Sequence, residues 1–145
     1  MNMIDKAGKL ELYRFLTASR YGVLSTVADN GAPEAALVGF AATPDLELIF
    51  ETIDTTRKYA NIRRNPRVAA VIGWEGEKTL QYEGIADEPD ESAVVELKKT
   101  YFAILPENAN HDGWPGLTYM RIRPRWIRLS NYGKPWSIEE FHFER

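Results

Sequence analysis

The spacing of hydrophobic positions along this chain changes several times, and each change marks an element. Across residues 6–20, Leu10, Leu12, Tyr13, Phe15 and Leu16 make the apolar stripe of an amphipathic helix, and Tyr21-Gly22 ends it. Residues 22–28 (GVLSTVA) switch to a β-branched strand, and Asp29-Asn30-Gly31 follows as a hairpin signal. Strands are predicted over residues 33–43 and 46–52, with Pro44-Asp45 turning between them. A short helix over residues 56–64, with Tyr59 and Ile62 as its buried side, stops at Asn65-Pro66. Residues 67–74 (RVAAVIGW) are apolar almost without interruption, which predicts a strand buried on both faces. Alternation resumes over residues 79–87. Pro89 then precedes a second amphipathic helix, DESAVVELKKTYFAI. Residues 105–116 are rich in turn formers and read as a loop. Strands follow over 117–123 and 126–132, bent at Pro124, and over 137–143.

These elements predict a mainly β (α+β) fold: a six- to seven-stranded antiparallel split barrel with two to three flanking helices. Closing the sheet into a barrel removes exposed strand edges. There is no internal repeat, low-complexity tract or linker, so one domain over residues 1–145 is expected.

Charge adds a candidate site. Arg57, Lys58, Arg63, Arg64 and Arg67 lie within a stretch containing no acid, in a chain of net charge −3. Arg57 and Lys58 fall in the first turn of the short helix, behind Asp54, Thr55 and Thr56 as candidate caps. That end of a helix is positive, so each cation there is misplaced by about 0.3–1 kcal/mol. A bound anion removes the misfit, and free amides, threonine hydroxyls and two flexible cations are the parts of a phosphate site. A solvated basic face is the plainer reading. The acidic total, with a pI near 5.5, argues against nucleic-acid binding and directs the patch toward a small anion.

Catalytic groups are sparse. With no cysteine and only His111 and His142, disulfides, thiolate chemistry and a structural zinc site are not expected. No GxSxG, HExxH or Walker motif occurs. Glu139 and Glu140 are adjacent on a strand and point to opposite faces. A phosphate site without independent chemistry suits a cofactor protein. Thr79, Gln81 and Glu83 share one face of their strand, and Gln81 is a candidate donor to a cofactor ring. The first residues lack a signal-peptide pattern and no apolar run is long enough to span a membrane, so a soluble, cytoplasmic protein is expected.

The stretches YGVLSTVADNGAPEAALV, IFETIDTTRKYANIRRNPRVAAVIGW and LQYEGIA carry a more specific signal. Together they resemble the pyridoxamine 5′-phosphate oxidase-like family of FMN-binding split barrels. The match rests on Phe50, Thr52, Thr56, Arg57, Lys58, Asn65, Pro66, Arg67 and Val68 in order. The resemblance implies FMN as cofactor and a homodimer with flavin at the subunit interface. It implies that Arg57, Lys58 and Thr52 bind the flavin phosphate, with Thr55 and Thr56 beside them, and that backbone of Ala36, Leu37 and Val38 meets the ring. Aligning on Glu83-Gly84 puts Thr79, rather than Gln81, at the family's ring-contacting glutamine. The ending IEEFHFER lacks the oxidase's Arg-x-His and its terminal Arg-Leu-x-Pro, so authentic pyridoxamine phosphate oxidation is not expected. The chain looks more like the short general-stress relatives. A deazaflavin- or haem-binding protein, or a non-catalytic flavin-binding stress module, are the alternatives.

Overall fold

A computed structural model describes residues 4–144; residues 1–3 and 145, counted in the expected 1–145 domain, lie outside the described residues. Helix α1 (Lys6–Ser19) starts where the Asp5 carboxylate accepts the Gly8 amide at 2.7 Å, and buries Leu12 and Leu16. The strands are β1 (Tyr21–Val27), β2 (Pro33–Gly39), β3 (Ala41–Ala42), β4 (Leu48–Ile53), β5 (Arg67–Ile72), β6 (Lys78–Asp87), β7 (Leu117–Asn131) and β8 (Ser137–His142). Two further helices are α2 (Arg57–Arg64), between β4 and β5, and α3 (Glu91–Ile104), between β6 and β7.

All pairings are antiparallel, in the order β2-β1-β5-β6-β7-β4-β3, with β8 also on β7. The sheet curls into a half-barrel, the split-barrel architecture expected. Strands β2 and β3 end the hydrogen-bonded path, and β2 approaches β4 without laddering to it. Leu24, Phe40, Phe50, Ile72, Leu80, Tyr82, Met120, Ile122 and Ile127 fill the inside. A second cluster, Ile49, Leu97, Tyr101, Leu105 and Tyr119, lies under α3. The Tyr82 hydroxyl donates to Leu46 O at 2.7 Å inside the barrel, and burial pushes its pKa well up.

Four local expectations change. The run over 33–43 is two strands, because the chain changes partner: the Phe40 amide makes the last bond of the β1 register, to Arg20 O at 2.7 Å, and Ala41–Ala42 pair with β4 instead. The run over 67–74 is not buried on both faces of this chain. Val68, Ala70 and Ile72 point inward while Arg67, Ala69 and Val71 are exposed. Doubly buried instead is β4, whose Leu48 and Phe50 enter the barrel and whose Ile49 meets α3. The two strands expected on either side of a bend at Pro124 are one strand, β7, and the irregularity there is a bulge: Glu83 faces Trp126 and Gly84 faces Pro124, which leaves Arg125 without a partner across the ladder. At that bulge a Cβ on Gly84 would stand 2.4 Å from the Arg123 carbonyl oxygen. Part of the expected loop is a 3-10 helix, Pro106–His111.

Candidate functional site

Thr56 is the N-cap of α2, but its hydroxyl does not cap the helix. It donates to Ile53 O at 2.9 Å and so accepts from the Thr52 hydroxyl at 2.8 Å. Thr52, only 5% exposed, therefore braces the turn from the end of β4. The first amides of α2 are left without a side-chain acceptor, and the first turn carries no acid. The positive end foreseen from the sequence is thus intact.

This end faces a cleft of about 340 Å³ lined by Glu34, Ala35 and Ala36 of β2, Thr26 of β1, and Thr55, Thr56, Arg57 and Lys58. Arg57 reaches Glu34 Oε2 at 3.0 Å. The Lys58 ammonium has no ion-pair or hydrogen-bond partner among the described residues, and partial burial lowers its pKa. A half-buried cation without a counter-ion, beside uncapped amides, is a place prepared for an anion. Arg63 and Arg64, by contrast, occupy the last turn, where cations suit the helix dipole. Arg63 lies over the Tyr59 ring and donates to its hydroxyl at 3.1 Å.

Of the residues singled out in the sequence, Ala36, Thr55, Thr56, Arg57 and Lys58 converge on this cleft, with Thr52 behind it. Val38 is buried in the core. Leu37 and Gln81 are on the outer sheet face, in one cross-strand row that runs Leu37, Val23, Val71, Gln81, Arg128. Thr79 lies in the next row along β6, opposite Ser130, and does not line the cleft. Sequence reasoning missed Glu34 and Asn61. Asn61 is 4% exposed on α2, and a polar residue on the buried side of an eight-residue helix was the available signal.

The histidines lie elsewhere. His111 Nδ1 sits 2.5 Å from Glu51 Oε1, its ring stacked against Trp114 at 4.2 Å, on the α3 side of β4. Nearby, Lys98 and the Tyr119 hydroxyl, both bonded to Asp112, lower its pKa. His142 is exposed on β8. Among the described residues, no group of three His, Asp or Glu side chains is placed to hold a metal ion, and no helix is long and apolar enough to cross a membrane.

Comparison with known proteins agrees with this half-barrel. Residues 10–131 match the family model described as pyridoxamine 5′-phosphate oxidase, and the chain belongs to that family. It is 32% identical over 93 residues to a pyridoxine/pyridoxamine 5′-phosphate oxidase of Rubrobacter xylanophilus, a match covering 63% of this chain and 41% of that protein's length. Among solved structures, general stress protein 26 of Bacillus anthracis superposes with a TM-score of 0.72 at 24% identity, over 93% of this chain and 98% of that one. A haem-binding protein of Mycobacterium smegmatis gives 0.78 at 16% identity, over 98% of this chain and 60% of its own.

Proposed function

We propose that this chain is an FMN-binding flavoprotein, an oxidoreductase working as a homodimer with its flavin at the subunit interface. The observation that carries the reading is the unpartnered Lys58 beside the uncapped start of α2, in a cleft large enough for a phosphate and the chain attached to it. Lys58, Arg57 and the first amides of α2 would hold the phosphate, with Thr55 at the rim and Thr52 fixing the turn through Thr56. The backbone of Ala36 to Val38 would carry the ring toward the outer face. Bound flavin supplies a ring that accepts and returns reducing equivalents; the residues here bind it, orient it and shield it from water.

The homodimer draws support from the outer face. Leu37 is 65% exposed and Val71 41%, side by side with Val23 in the same row. Contiguous apolar surface of this kind suits burial against a second copy. Gln81 follows Val71 in that row and Thr79 lies in the next row along β6, so either would meet a flavin held across such an interface more readily than one confined to its own cleft.

Absorbance of the purified protein and mass spectrometry of its released ligand test the cofactor. FMN in the released fraction is expected. The variant Arg57→Ala/Lys58→Ala should lose about 3 kcal/mol or more of FMN affinity, a factor of at least about a hundred, because each charge-assisted bond contributes roughly 1.5–3 kcal/mol. Unchanged affinity in that variant would sink the phosphate assignment. A haem spectrum would instead favour the second reading, for which the M. smegmatis neighbour is the motive. A released deazaflavin would keep the phosphate site and change the ring chemistry. Turnover with a nicotinamide donor and an electron acceptor separates an enzyme from a passive flavin carrier.

A further inference from the structure

Glu34 places a carboxylate in a cleft whose other charged side chains, Arg57 and Lys58, are cations. Its position is fixed. Asn61 donates through Nδ2 to Glu34 Oε1 at 2.8 Å and to Thr26 Oγ1 at 3.0 Å, while its Oδ1 accepts from Arg64 at 3.1 Å. Both amide hydrogens and the amide oxygen are engaged, so the amide has one orientation and Glu34 Oε1 one donor. The other oxygen, Oε2, faces the Arg57 guanidinium at 3.0 Å, and the Glu34 side chain is 20% exposed. A carboxylate buried to that extent, held from one side and paired on the other, is an anion already installed beside the helix start.

We infer that Glu34 is an internal competitor for the phosphate, which keeps the flavin a readily exchanged ligand. The inference rests on the flavin reading of the same cleft. An incoming phosphate has to draw Arg57 away from Glu34, and then meets the field of a carboxylate that Asn61 keeps in place. Lys58, with no such partner, is the cation that receives the phosphate without prior exchange. Glu34 therefore sets how tightly the phosphate end is held and leaves the ring end untouched. Glutamine at position 34 keeps an oxygen for Asn61 to bond and removes the charge, so Arg57 is released and the repulsion ends.

Glu34→Gln and Glu34→Ala, each compared with wild type, test this by titration with FMN, riboflavin and inorganic phosphate. Flavin fluorescence gives affinities and dissociation rates, and thermal midpoints give the phosphate response. In Glu34→Gln, FMN affinity should rise by about tenfold or more, equivalent to about 1.4 kcal/mol. Dissociation should slow correspondingly and riboflavin affinity should stay the same. Inorganic phosphate should raise the thermal midpoint of both variants more than that of wild type. FMN affinity that is unchanged or weaker in both variants overturns the inference and makes Glu34 a ligand partner or a structural brace. An equal gain for riboflavin also overturns it, because the effect would not pass through the phosphate. If no form binds FMN, the flavin reading fails, and the phosphate response alone decides: a larger response in the variants upholds competition by Glu34, and an equal one removes it.

Discussion

Replacing Lys58 by methionine keeps the length and apolar stem of the side chain and removes its charge, and its two effects should carry opposite signs. In the unliganded protein the ammonium lies at the positive end of α2, partly buried and without a counter-ion. A cation in that place opposes the helix dipole by about 0.3–1 kcal/mol, and the half-exposed position puts the cost at the lower end. Removing it should stabilise the fold by about 0.5 kcal/mol. In a chain of this size that raises the melting midpoint by roughly 1–3 °C. With phosphate present the same substitution deletes a charge-assisted bond worth roughly 1.5–3 kcal/mol, so FMN affinity should fall about 10- to 150-fold. Scanning calorimetry without ligand and flavin-fluorescence titration measure the two effects on one preparation. A lower midpoint in the unliganded variant would mean that Lys58 is a structural cation with a partner in solution. Unchanged affinity would mean that the anion binds elsewhere. Either result refutes the account of α2 given above.

Two further outcomes follow from the geometry. Gly84→Ala puts a methyl group 2.4 Å from the Arg123 carbonyl oxygen and 2.7 Å from Ile122 Cγ2, where backbone cannot easily retreat. It should cost about 2–4 kcal/mol in denaturant unfolding, and a loss below about 1 kcal/mol would show that the bulge between β6 and β7 is plastic. The folded, unliganded chain holds Lys58 below its ordinary value of 10.5 through burial, so the unfolded chain binds more protons in the window just beneath that value. The Lys58 contribution to stability therefore rises with pH there, and a bound phosphate, by favouring the ammonium, reverses the shift. Phosphate binding in that alkaline window should take up protons, which calorimetry in buffers of different ionisation enthalpy detects as a buffer-dependent heat; wild type and Lys58→Met behaving alike would exclude Lys58 as the source.

The parts of this architecture visible in the sequence were those written in local spacing. Helix α2 and its misplaced cations could be read because the cap, the charges and the Asn65-Pro66 stop fall within a few residues of one another. Asp29-Asn30-Gly31 marked the β1–β2 hairpin, but the order around the half-barrel was not legible, because β1 pairs β5 and β4 pairs β7 across long connections. The environment of β5 was misread because Val68 to Ile72 is apolar on both parities, and one chain's sequence does not say which face a second layer covers. The strand looked divided at Pro124 because its continuity depends on pairing with β6, some forty residues earlier, which carries β7 across the bulge at Arg125. Glu34 and Asn61 were out of reach for the same reason: their bond joins residues 27 positions apart and forms only when β2 and α2 are brought together. Long-range pairs decide whether a charge pattern is a site or a solvated face, and periodicity carries no information about them.

The position of the cleft relative to the sheet has a mechanical consequence. Strand β2, which supplies Glu34 and Ala36, begins the ladder path, while β4, which supplies Thr52, lies near its opposite end. Between them the strands touch without backbone bonds, and α2 bridges from β4 back across to β5. A ligand seated at the start of α2 therefore lies across the seam of the barrel. Unlike a ligand in an interior cavity, it would act as a clasp. Breathing of the barrel would open the seam and the binding site together, and the edge amides of β2 would exchange with solvent at a rate governed by how often the clasp lets go.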